Sequence, residues 1–435
     1  MLKKYGLWGL IIAIHLSLFI YRLSEGQVIL NDTEEYLYAA NNLAEHGTLY
    51  SADMSEPEDM RAYTKRPPFY PLFILVFQSP WVVLLLQNLL SLFNIWVIFK
   101  ILEHLGYAKN KWLAGLLIIL TPSQFIYANI IMSEIVLQSL LLGFVYQMLK
   151  FISEYNLKPL LWGAALLILA MLTKPVMYPF VYVYLFVTIV YAVWQKKYKL
   201  VLAGIIPLMV AVGYKQLNKQ RTGYAHFSSI SEINLLQYNT KYMLQNFYEY
   251  GYADSVVTEV QNTAAAKPTF KEQQQYIRYK SLRILRNHLT PYIIFHVRGM
   301  VTFILDPGRF DLYRFFDVNS GEQGFLHYIS AQGMRGVVNY LKTQPPFLIF
   351  TLMLVALINL FKAVLVMMFL FSKKISLEVK IILLGIIFYL AFLTGPLGAS
   401  RFMLPVLPLI VMAIAMAWED VKEITQKIAE RLKFM

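Results

Sequence analysis

The stretch 31–71 reads NDTEEYLYAANNLAEHGTLYSADMSEPEDMRAYTKRPPFYP, and it separates two apolar runs of the chain. The run before it, 5–21, and the run after it, 81–102, are each about as long as the helix that a bilayer requires. The stretch gathers carboxylates, a Lys65-Arg66 pair and several tyrosines in one short segment. We interpret it as a polar loop at one face of a membrane, and the rest of the chain as the scaffold that holds it.

Composition sets the class. The chain has 435 residues, of which 58% are hydrophobic and 15% charged, with a mean hydropathy of +0.51; a soluble protein carries about 25% charged residues. Apolar segments that cross lipid must satisfy their own backbone groups, so we predict an all-α polytopic membrane protein. The chain lacks cysteine, which excludes disulfides and thiolate chemistry. Lysine and arginine at membrane flanks explain the net charge of +13 without a nucleic-acid partner.

The apolar runs predict about ten transmembrane helices: 5–21, 81–102, 112–129, 131–151, 159–172, 176–194, 200–214, 346–371, 379–393 and 402–418. Lysine-rich turns alternate with short turns that hold no lysine or arginine, so both termini are expected in the cytoplasm. Pro80 splits the segment after the polar loop, which makes 69–77 a re-entrant or interfacial piece. The run 292–305 is short, and we expect an interfacial helix or one buried in an outer domain.

Four regions follow from this pattern. They are a transmembrane catalytic module, 1–214, with its first outer loop at 23–79; a mostly helical extracytoplasmic domain, 215–344; C-terminal transmembrane helices, 345–418; and a basic cytoplasmic tail, 419–435. Juxtamembrane helices are expected at the outer face. The segment 270–289 has helical spacing and many basic residues, which favours a helix lying on lipid headgroups, with an acceptor-binding surface as the alternative.

Asp32 has two compatible interpretations. It is expected to begin a helix that Gly47 ends, and Glu35 three residues later completes the pattern of a capping box. Asp32 also lies where the first span meets the outer surface, facing Lys65 and Arg66 before the next membrane entry. A carboxylate there could serve as base for an acceptor hydroxyl, while the two cations bind a lipid phosphate. Headgroup anchoring is the simpler explanation of the cations.

Three further charged residues lie at predicted outer ends of spans. Glu134 follows a tight turn, where a carboxylate is costly unless it faces water or a partner; the alternative is a helix first turn capped by Ser133. Lys174 and Arg401 each precede a proline-bearing helix start. Snorkelling accounts for either cation alone. Their convergence on one outer pocket would make a phosphate site.

Metal and nucleotide motifs are missing from the sequence. The seven histidines have no metal-ligand spacing, and no P-loop, Rossmann fingerprint or G-x-S-x-G occurs. We therefore predict no metal ligands and no obligatory cofactor, and leave a divalent metal as an option.

Taken together, these motifs resemble a known family. The first outer loop is similar to that of bacterial GT-C glycosyltransferases, relatives of the protein O-mannosyltransferases and of the aminoarabinose transferases of lipid A (glycosyltransferase family 39-like). The matching positions are Asp32, Glu35, Tyr36, Leu37, Ala40, Asn42, Leu43 and Gly47, then residues 66–73. The S-E at 133–134, L-T-K-P at 172–175 and R-F-M-L-P-V-L-P at 401–408 extend the resemblance to the last span.

The resemblance implies a fold of GT-C type and a hexosyltransferase of the inner (plasma) membrane that acts on the periplasmic, extracytoplasmic face. It implies a polyprenyl-monophosphate sugar as donor and a lipid, glycan or protein hydroxyl as acceptor. It assigns Asp32 as general base and Lys65, or its neighbour Arg66, to the donor phosphate. In-line displacement would invert the anomeric centre.

The candidate site then comprises Asp32 and Glu134 as catalytic residues, and Lys65, Arg66, Lys174 and Arg401 as phosphate ligands. Many family members have an acidic residue directly after the catalytic aspartate, whereas this chain has Thr33. The secondary candidates are Glu34, Glu35 and Tyr63.

Two other functions compete with this one. A transporter or flippase of lipid-linked sugars usually keeps polar groups at mid-membrane in repeated halves. Here the candidate charges gather at one face and no repeat is visible, which favours an enzyme. A ligase that uses a lipid-diphosphate glycan is left open by the sequence.

Overall fold

The computed structural model of the chain describes residues 2–318 and 344–433, and every regular element in them is helical. The α-helices are α1 Leu2–Glu25, α2 Asn31–His46, α3 Ala62–Lys65, α4 Phe69–Phe77, α5 Pro80–His104, α6 Lys111–Ile119, α7 Pro122–Ala128, α8 Glu134–Glu154, α9 Leu157–Thr173, α10 Phe180–Trp194, α11 Val201–Thr222, α12 Ile230–Ile233, α13 Tyr242–Phe247, α14 Tyr250–Ala265, α15 Phe270–Asn287, α16 Leu289–Leu305, α17 Arg309–Phe315, α18 Pro346–Phe371, α19 Leu377–Thr394, α20 Ser400–Met403 and α21 Leu407–Lys433. A π-helix, Asn234–Lys241, joins α12 to α13. The all-α prediction is confirmed for these residues.

Eight described helices are long and apolar enough to cross a membrane: Gly6–Glu25, Pro80–His104, Glu134–Glu154, Pro175–Trp194, Tyr198–Thr222, Pro346–Phe371, Leu377–Thr394 and Ser400–Glu430. A bent helix pair would make nine. About ten were predicted. The difference lies in that bent pair and in α9, which is apolar but only 17 residues long.

The run 112–129, expected as one span, bends by 68° between α6 and α7. Pro122 occupies the first turn of α7, where its missing N–H is tolerated but cannot continue α6. Thr121 lies at the break, and its hydroxyl donates back to Leu117 O of α6 at 2.7 Å. Lys362, which is buried in α18, donates to the same hydroxyl oxygen at 2.5 Å. The bend is therefore fixed from both sides.

Buried amides of α5 support the non-helical turn between α7 and α8. Gln87 Nε2 donates to Ile130 O at 2.8 Å, and Asn88 Nδ2 donates to Ala128 O at 3.0 Å. Carbonyls outside a helix need such donors where lipid offers none. The turn leads directly into Glu134 and so sets the depth of its carboxylate.

The polar loop folds back on α2. Gly47 ends α2 with φ of 65°, as predicted. Asn42 Nδ2 then donates to Tyr50 O at 2.8 Å and to Ala52 O at 2.9 Å, which holds the chain after the helix against it. Farther on, α4 is separated from α5 at Pro80, which agrees with the short piece expected at 69–77.

The end of the loop is attached to the segment that follows α11. Thr64 Oγ1 lies 2.7 Å from His226 Nε2, and His226 Nδ1 lies 2.8 Å from Tyr224 O. Burial lowers the pKa of His226, so the neutral ring donates to the carbonyl and accepts from the threonine. Ser228 Oγ also donates to Lys65 O at 3.1 Å. The segment that bears Lys65 and Arg66 is thus attached to residues 226–228.

The predicted outer domain, 215–344, is described through residue 318 and at Gln344; 319–343 lie outside the described residues. Its described part is helical. Within it α16 has 17 residues, too short to be counted as a span, and it packs on the turn before α20. A Cβ at Gly299 would lie 1.5 Å from Gly395 O, so the two backbones touch. At the other end α21 runs through the predicted boundary at 418/419 without a break.

Candidate active site

Seven charged side chains meet beside the polar loop. Asp32 and Glu35 come from the first turns of α2, and Glu134 begins α8. Lys65 and Arg66 lie at the end of α3, Lys174 directly follows α9, and Arg401 lies in the short helix α20. In order, the paired side chains are Lys65, Glu35, Arg66, Asp32, Arg401, Glu134 and Lys174, a row in which positive and negative groups alternate. We call this row the charge network.

The loop half of the network links both cations of the K-R pair to α2. Lys65 Nζ donates to Glu35 Oε1 at 2.5 Å. Arg66 Nε donates to Glu35 Oε2 at 2.7 Å, and its Nη2 donates to Asp32 Oδ1 at 2.5 Å. The guanidinium therefore holds two carboxylates of one helix turn together.

The other half links α2 to the transmembrane helices. Arg401 donates through Nη2 to Asp32 Oδ2 and through Nε to Glu134 Oε1, the latter at 2.5 Å. Lys174 Nζ donates to the same Glu134 oxygen at 2.7 Å. Arg401 thereby bridges the two carboxylates proposed from the sequence. Lys174 and Arg401 do not snorkel as isolated cations.

Neutral contacts attach α2 to the turn before Glu134. Tyr36 OH lies 2.9 Å from Ser133 Oγ, and Thr33 Oγ1 donates to Ile131 O at 3.2 Å. The guanidinium of Arg66 lies 4.8 Å from the centroid of the Tyr36 ring, a cation–π distance. The buried ring of Tyr36 thus packs against Arg66 near the centre of the charge network.

The capping box expected at 32–35 is wrong. The helix starts at Asn31 with Leu30 as its N-cap, and no side chain caps it. The carboxylates of Asp32 and Glu35 are bound by guanidinium and ammonium groups instead, which are stronger partners than a backbone N–H. Ser133 likewise makes no capping bond to α8. Tertiary contacts take the place of local capping at both sites: ion pairs at Asp32 and Glu35, and the Tyr36 hydroxyl at Ser133.

The three secondary candidates lie in different surroundings. Glu35 belongs to the charge network, whereas Glu34 is exposed on α2 and takes no part in the ion pairs of the described residues. Tyr63 OH donates to Glu58 Oε1 at 2.7 Å, on the loop side away from those pairs. All six primary candidates are in the charge network; their catalytic roles stay predictions.

Two aspartates and a serine that the sequence reasoning did not single out hold Arg401 in place. Asp306 Oδ2 accepts the N–H of Ser400 at 2.7 Å, and Asp311 Oδ2 accepts its hydroxyl at 2.5 Å. Asp311 Oδ1 also accepts Tyr127 OH at 2.6 Å. Burial raises the pKa of Asp311 to about 6, against the hydrogen bonds that lower it. The segment D-P-G-R-F-D at 306–311 was the available signal.

Charge and depth differ along the network. Within the seven paired side chains, four cations face three carboxylates, and Asp311 is a further acid behind Ser400. Glu134 is fully buried, and its Oε2 has no hydrogen-bond partner among the described residues, whereas Asp32 is 25% exposed. Burial favours the neutral form of Asp32, but Arg401 and Arg66 outweigh it and hold the pKa of this carboxyl well below its usual range. Lys65, which is 26% exposed, is the cation of the charge network most accessible to an anion.

Metal ligation has no obvious position in the described residues. Within them, no group of three or more His, Asp and Glu side chains is placed to hold a metal ion. The carboxylates at the centre are occupied by the cations of the charge network.

Comparison with known proteins gives structural similarity only. No family model matches the sequence, and no curated protein matches it. Among solved structures, the chain is similar to ArnT from Cupriavidus metallidurans bound to undecaprenyl phosphate, at 13% identity and a TM-score of 0.41, covering 95% of this chain and 78% of that one. The apo form of ArnT gives a TM-score of 0.39 at the same identity and coverage.

Because identity and TM-score are both low, nothing about single residues or substrates of this chain follows from the similarity. The chemistry of the site rests on its own side chains.

Proposed function

We propose that this chain is a membrane glycosyltransferase that moves a sugar from a polyprenyl-monophosphate donor to an acceptor hydroxyl on the extracytoplasmic face of the plasma membrane. The observation that carries the proposal is the charge network. It places Asp32, in the first turn of α2, between two guanidiniums, with two ammonium groups farther along the same row of ion pairs. A sugar linked through a monophosphate diester carries one negative charge, and guanidinium and ammonium groups are the side chains that bind a phosphate most strongly.

The transfer requires little beyond charge control. The acceptor oxygen attacks the anomeric carbon, the carbon–oxygen bond to phosphate breaks, and the bonding electrons leave with the phosphate. The hydroxyl proton goes to Asp32. Because the phosphate gains a second negative charge as it leaves, cations fixed beside it stabilise the transition state more than the ground state. Attack opposite to the leaving phosphate inverts the anomeric centre.

Asp32 must become more basic before it can accept a proton. In the resting structure two guanidiniums bind its two oxygens and make it a weak base. A donor phosphate competes for Arg66 and Arg401, and each guanidinium that turns to phosphate raises the basicity of Asp32. Donor binding thereby prepares the base, and an efficient base has a pKa near the working pH.

Exposure distinguishes the two cations of the loop. Lys65 is 26% exposed and binds Glu35 alone, whereas Arg66 is 7% exposed and binds both Glu35 and Asp32. Lys65 can therefore turn to a phosphate with the loss of one ion pair. Glu134, which is fully buried between Lys174 and Arg401, acts in this scheme as a fixed counter-charge that orients both.

A transfer assay separates this proposal from a flippase and from a diphosphate-dependent ligase. The purified chain, in liposomes, receives radiolabelled polyprenyl-monophosphate hexose or the matching diphosphate. Release of polyprenyl phosphate with transfer of the label supports the proposal. Movement of intact labelled lipid across the bilayer, or use of the diphosphate alone, contradicts it. Lys65→Ala should weaken donor use at least about tenfold, and Lys271→Ala, exposed on α15, is the control.

A further inference from the structure

A polar cavity lies outside the charge network. Its volume is about 580 Å³, and it is bounded by loop residues 58–61, the π-helix and its neighbour α12, and helices α14 and α15. This size falls within the range of roughly 300–1,000 Å³ that is typical of small-molecule sites. The mechanism above gives the cavity no role.

Its lining has an unusual chemistry. Eight of the lining side chains end in a planar carboxylate or carboxamide: Glu58, Asp59, Glu232, Gln237, Gln261, Asn262, Gln273 and Gln274. Carboxamides both donate and accept hydrogen bonds, which suits neighbouring hydroxyls on a ring. Phe270, Leu236 and Ile277 add apolar surface that can contact the C–H face of a sugar.

Two of these side chains are buried with an oxygen left unsatisfied. Glu232 is 5% exposed and Gln274 is 2% exposed. Glu232 Oε2 and Gln274 Oε1 have no hydrogen-bond partner within the described residues. A buried acceptor without a donor loses its hydration without compensation, and the loss is larger when the group is charged. Both residues line the cavity, and rotation of their side chains toward it would let a ligand that brings hydroxyl donors satisfy the two oxygens.

The other acids of the cavity are already occupied. Asp59 binds Arg61 at 2.9 Å, and Glu58 accepts the hydroxyl of Tyr63. Glu232 is thus the carboxylate left for a ligand, beside five carboxamides. Burial raises the pKa of Glu232, which further favours a neutral donor over a cation. A polyhydroxyl compound fits this set better than an amine.

The cavity and the charge network are connected through one short segment of the chain. Ser229 Oγ donates to Arg61 O at 2.8 Å, and Ser228 Oγ donates to Lys65 O at 3.1 Å. The segment 61–66, which contains α3, therefore lines the cavity at Arg61 and bears Lys65 and Arg66, the cations proposed to bind the donor phosphate. Glu232 follows these serines by about one helical turn.

We propose that this cavity binds the carbohydrate portion of the acceptor, with Glu232 and Gln274 as its central hydrogen-bond acceptors. The term acceptor rests on the proposed function, whereas sugar binding by the cavity stands independently of it. The basic outer face of α15 takes no part, because Gln274 lies on the buried face of that helix.

The test is sugar binding to the full chain in a detergent without a sugar headgroup, such as lauryldimethylamine oxide. Cellobiose and N,N′-diacetylchitobiose are the probes, and saturation-transfer NMR and equilibrium dialysis are the readouts. Saturable binding of at least one disaccharide is expected. Glu232→Gln and Gln274→Met should each weaken it at least about tenfold, the loss expected for a buried hydrogen bond to a ligand.

Matched variants supply the controls. Gln275→Met changes the exposed neighbour of Gln274 and should bind sugar as the wild type does. Ala265→Trp narrows the exposed rim of the cavity and should block binding, which keeps the test valid if a buried variant misfolds. Undecaprenyl phosphate binding should be unchanged in all four variants.

Each outcome has one meaning. If the wild type binds neither disaccharide saturably, or if Glu232→Gln, Gln274→Met and Ala265→Trp bind as it does, the cavity is not a carbohydrate site. If sugar binding follows the expected pattern while no polyprenyl-phosphate sugar is ever turned over, the cavity assignment holds and the proposed transferase activity fails.

Discussion

Replacing Asp32 by Asn tests the centre of the charge network. The substitution keeps the size of the side chain but removes its charge, and with it the strength of the bonds from Arg66 and Arg401. Neither guanidinium is left alone, since Arg66 keeps Glu35 and Arg401 keeps Glu134. Single hydrogen bonds to charged groups contribute about 1.5–3 kcal/mol each. With Asp32 25% exposed and an amide still able to accept, the expected loss of stability is about 2 kcal/mol.

Turnover should respond far more than stability. Loss of a general base lowers the rate by about two to four orders of magnitude. Donor binding should stay the same or tighten, because the amide competes less with phosphate for the two guanidiniums. A purely structural Asp32 would instead lower donor affinity and turnover together. The two explanations therefore differ in the sign of the change in donor affinity.

The assay combines three measurements on the purified variant: thermal unfolding, undecaprenyl phosphate affinity, and single-turnover sugar transfer at saturating donor. Glu34→Gln, on the same helix but exposed, is the matched control and should behave as wild type. Transfer by Asp32→Asn within about threefold of wild type, far less than the loss of a general base predicts, would refute the assignment of the base. Weaker donor binding with an intact fold would refute the competition between carboxylate and phosphate.

Other expectations follow from the same contacts. Arg401→Lys should weaken donor binding at least about tenfold, because one ammonium cannot span two carboxylates as the guanidinium does; isotherms with polyprenyl phosphate measure this. The lowered pKa of Asp32 makes its stabilisation complete above about pH 4 and lost as the pH falls further, so denaturation of wild type and Asp32→Asn should converge in acid. Gly299→Ala should destabilise by at least about 2 kcal/mol through a backbone clash, whereas Gly385→Ala, with open space at its Cβ, should not; melting curves decide. Because burial raises the pKa of Glu232, Glu232→Gln should raise the Tm at neutral pH, and the gain should vanish near pH 4.

The apolar runs predicted most of the helices, because long segments in lipid have few alternatives to a helix. The boundary at Pro80 and the stop at Gly47 were also readable, since each residue has a local effect on the backbone. The break after α6 was missed. Its cause includes Lys362 of α18, which reaches Thr121 from a distant part of the chain.

The candidate site shows the same division. Residue type and predicted position at the ends of spans identified all six primary candidates, but they did not predict which side chains form ion pairs with each other. Glu134 and Arg401 are separated by 267 positions, and no local pattern links them. The capping box failed for a related reason: the local motif was present, but distant cations took its carboxylates. Asp306 and Asp311 were missed because their role, holding Ser400, is visible only in three dimensions.

In the structure, Glu35 and Asp32 bind the cations that the proposed reaction assigns to the donor phosphate. A lipid that replaces these carboxylates must therefore offer the guanidiniums an anion in exchange. A methylated, uncharged polyprenyl phosphate triester offers none, however well its tail fits. Lipid analogues that inhibit such an enzyme would consequently need a permanent negative charge on the headgroup, and uncharged analogues should not inhibit it.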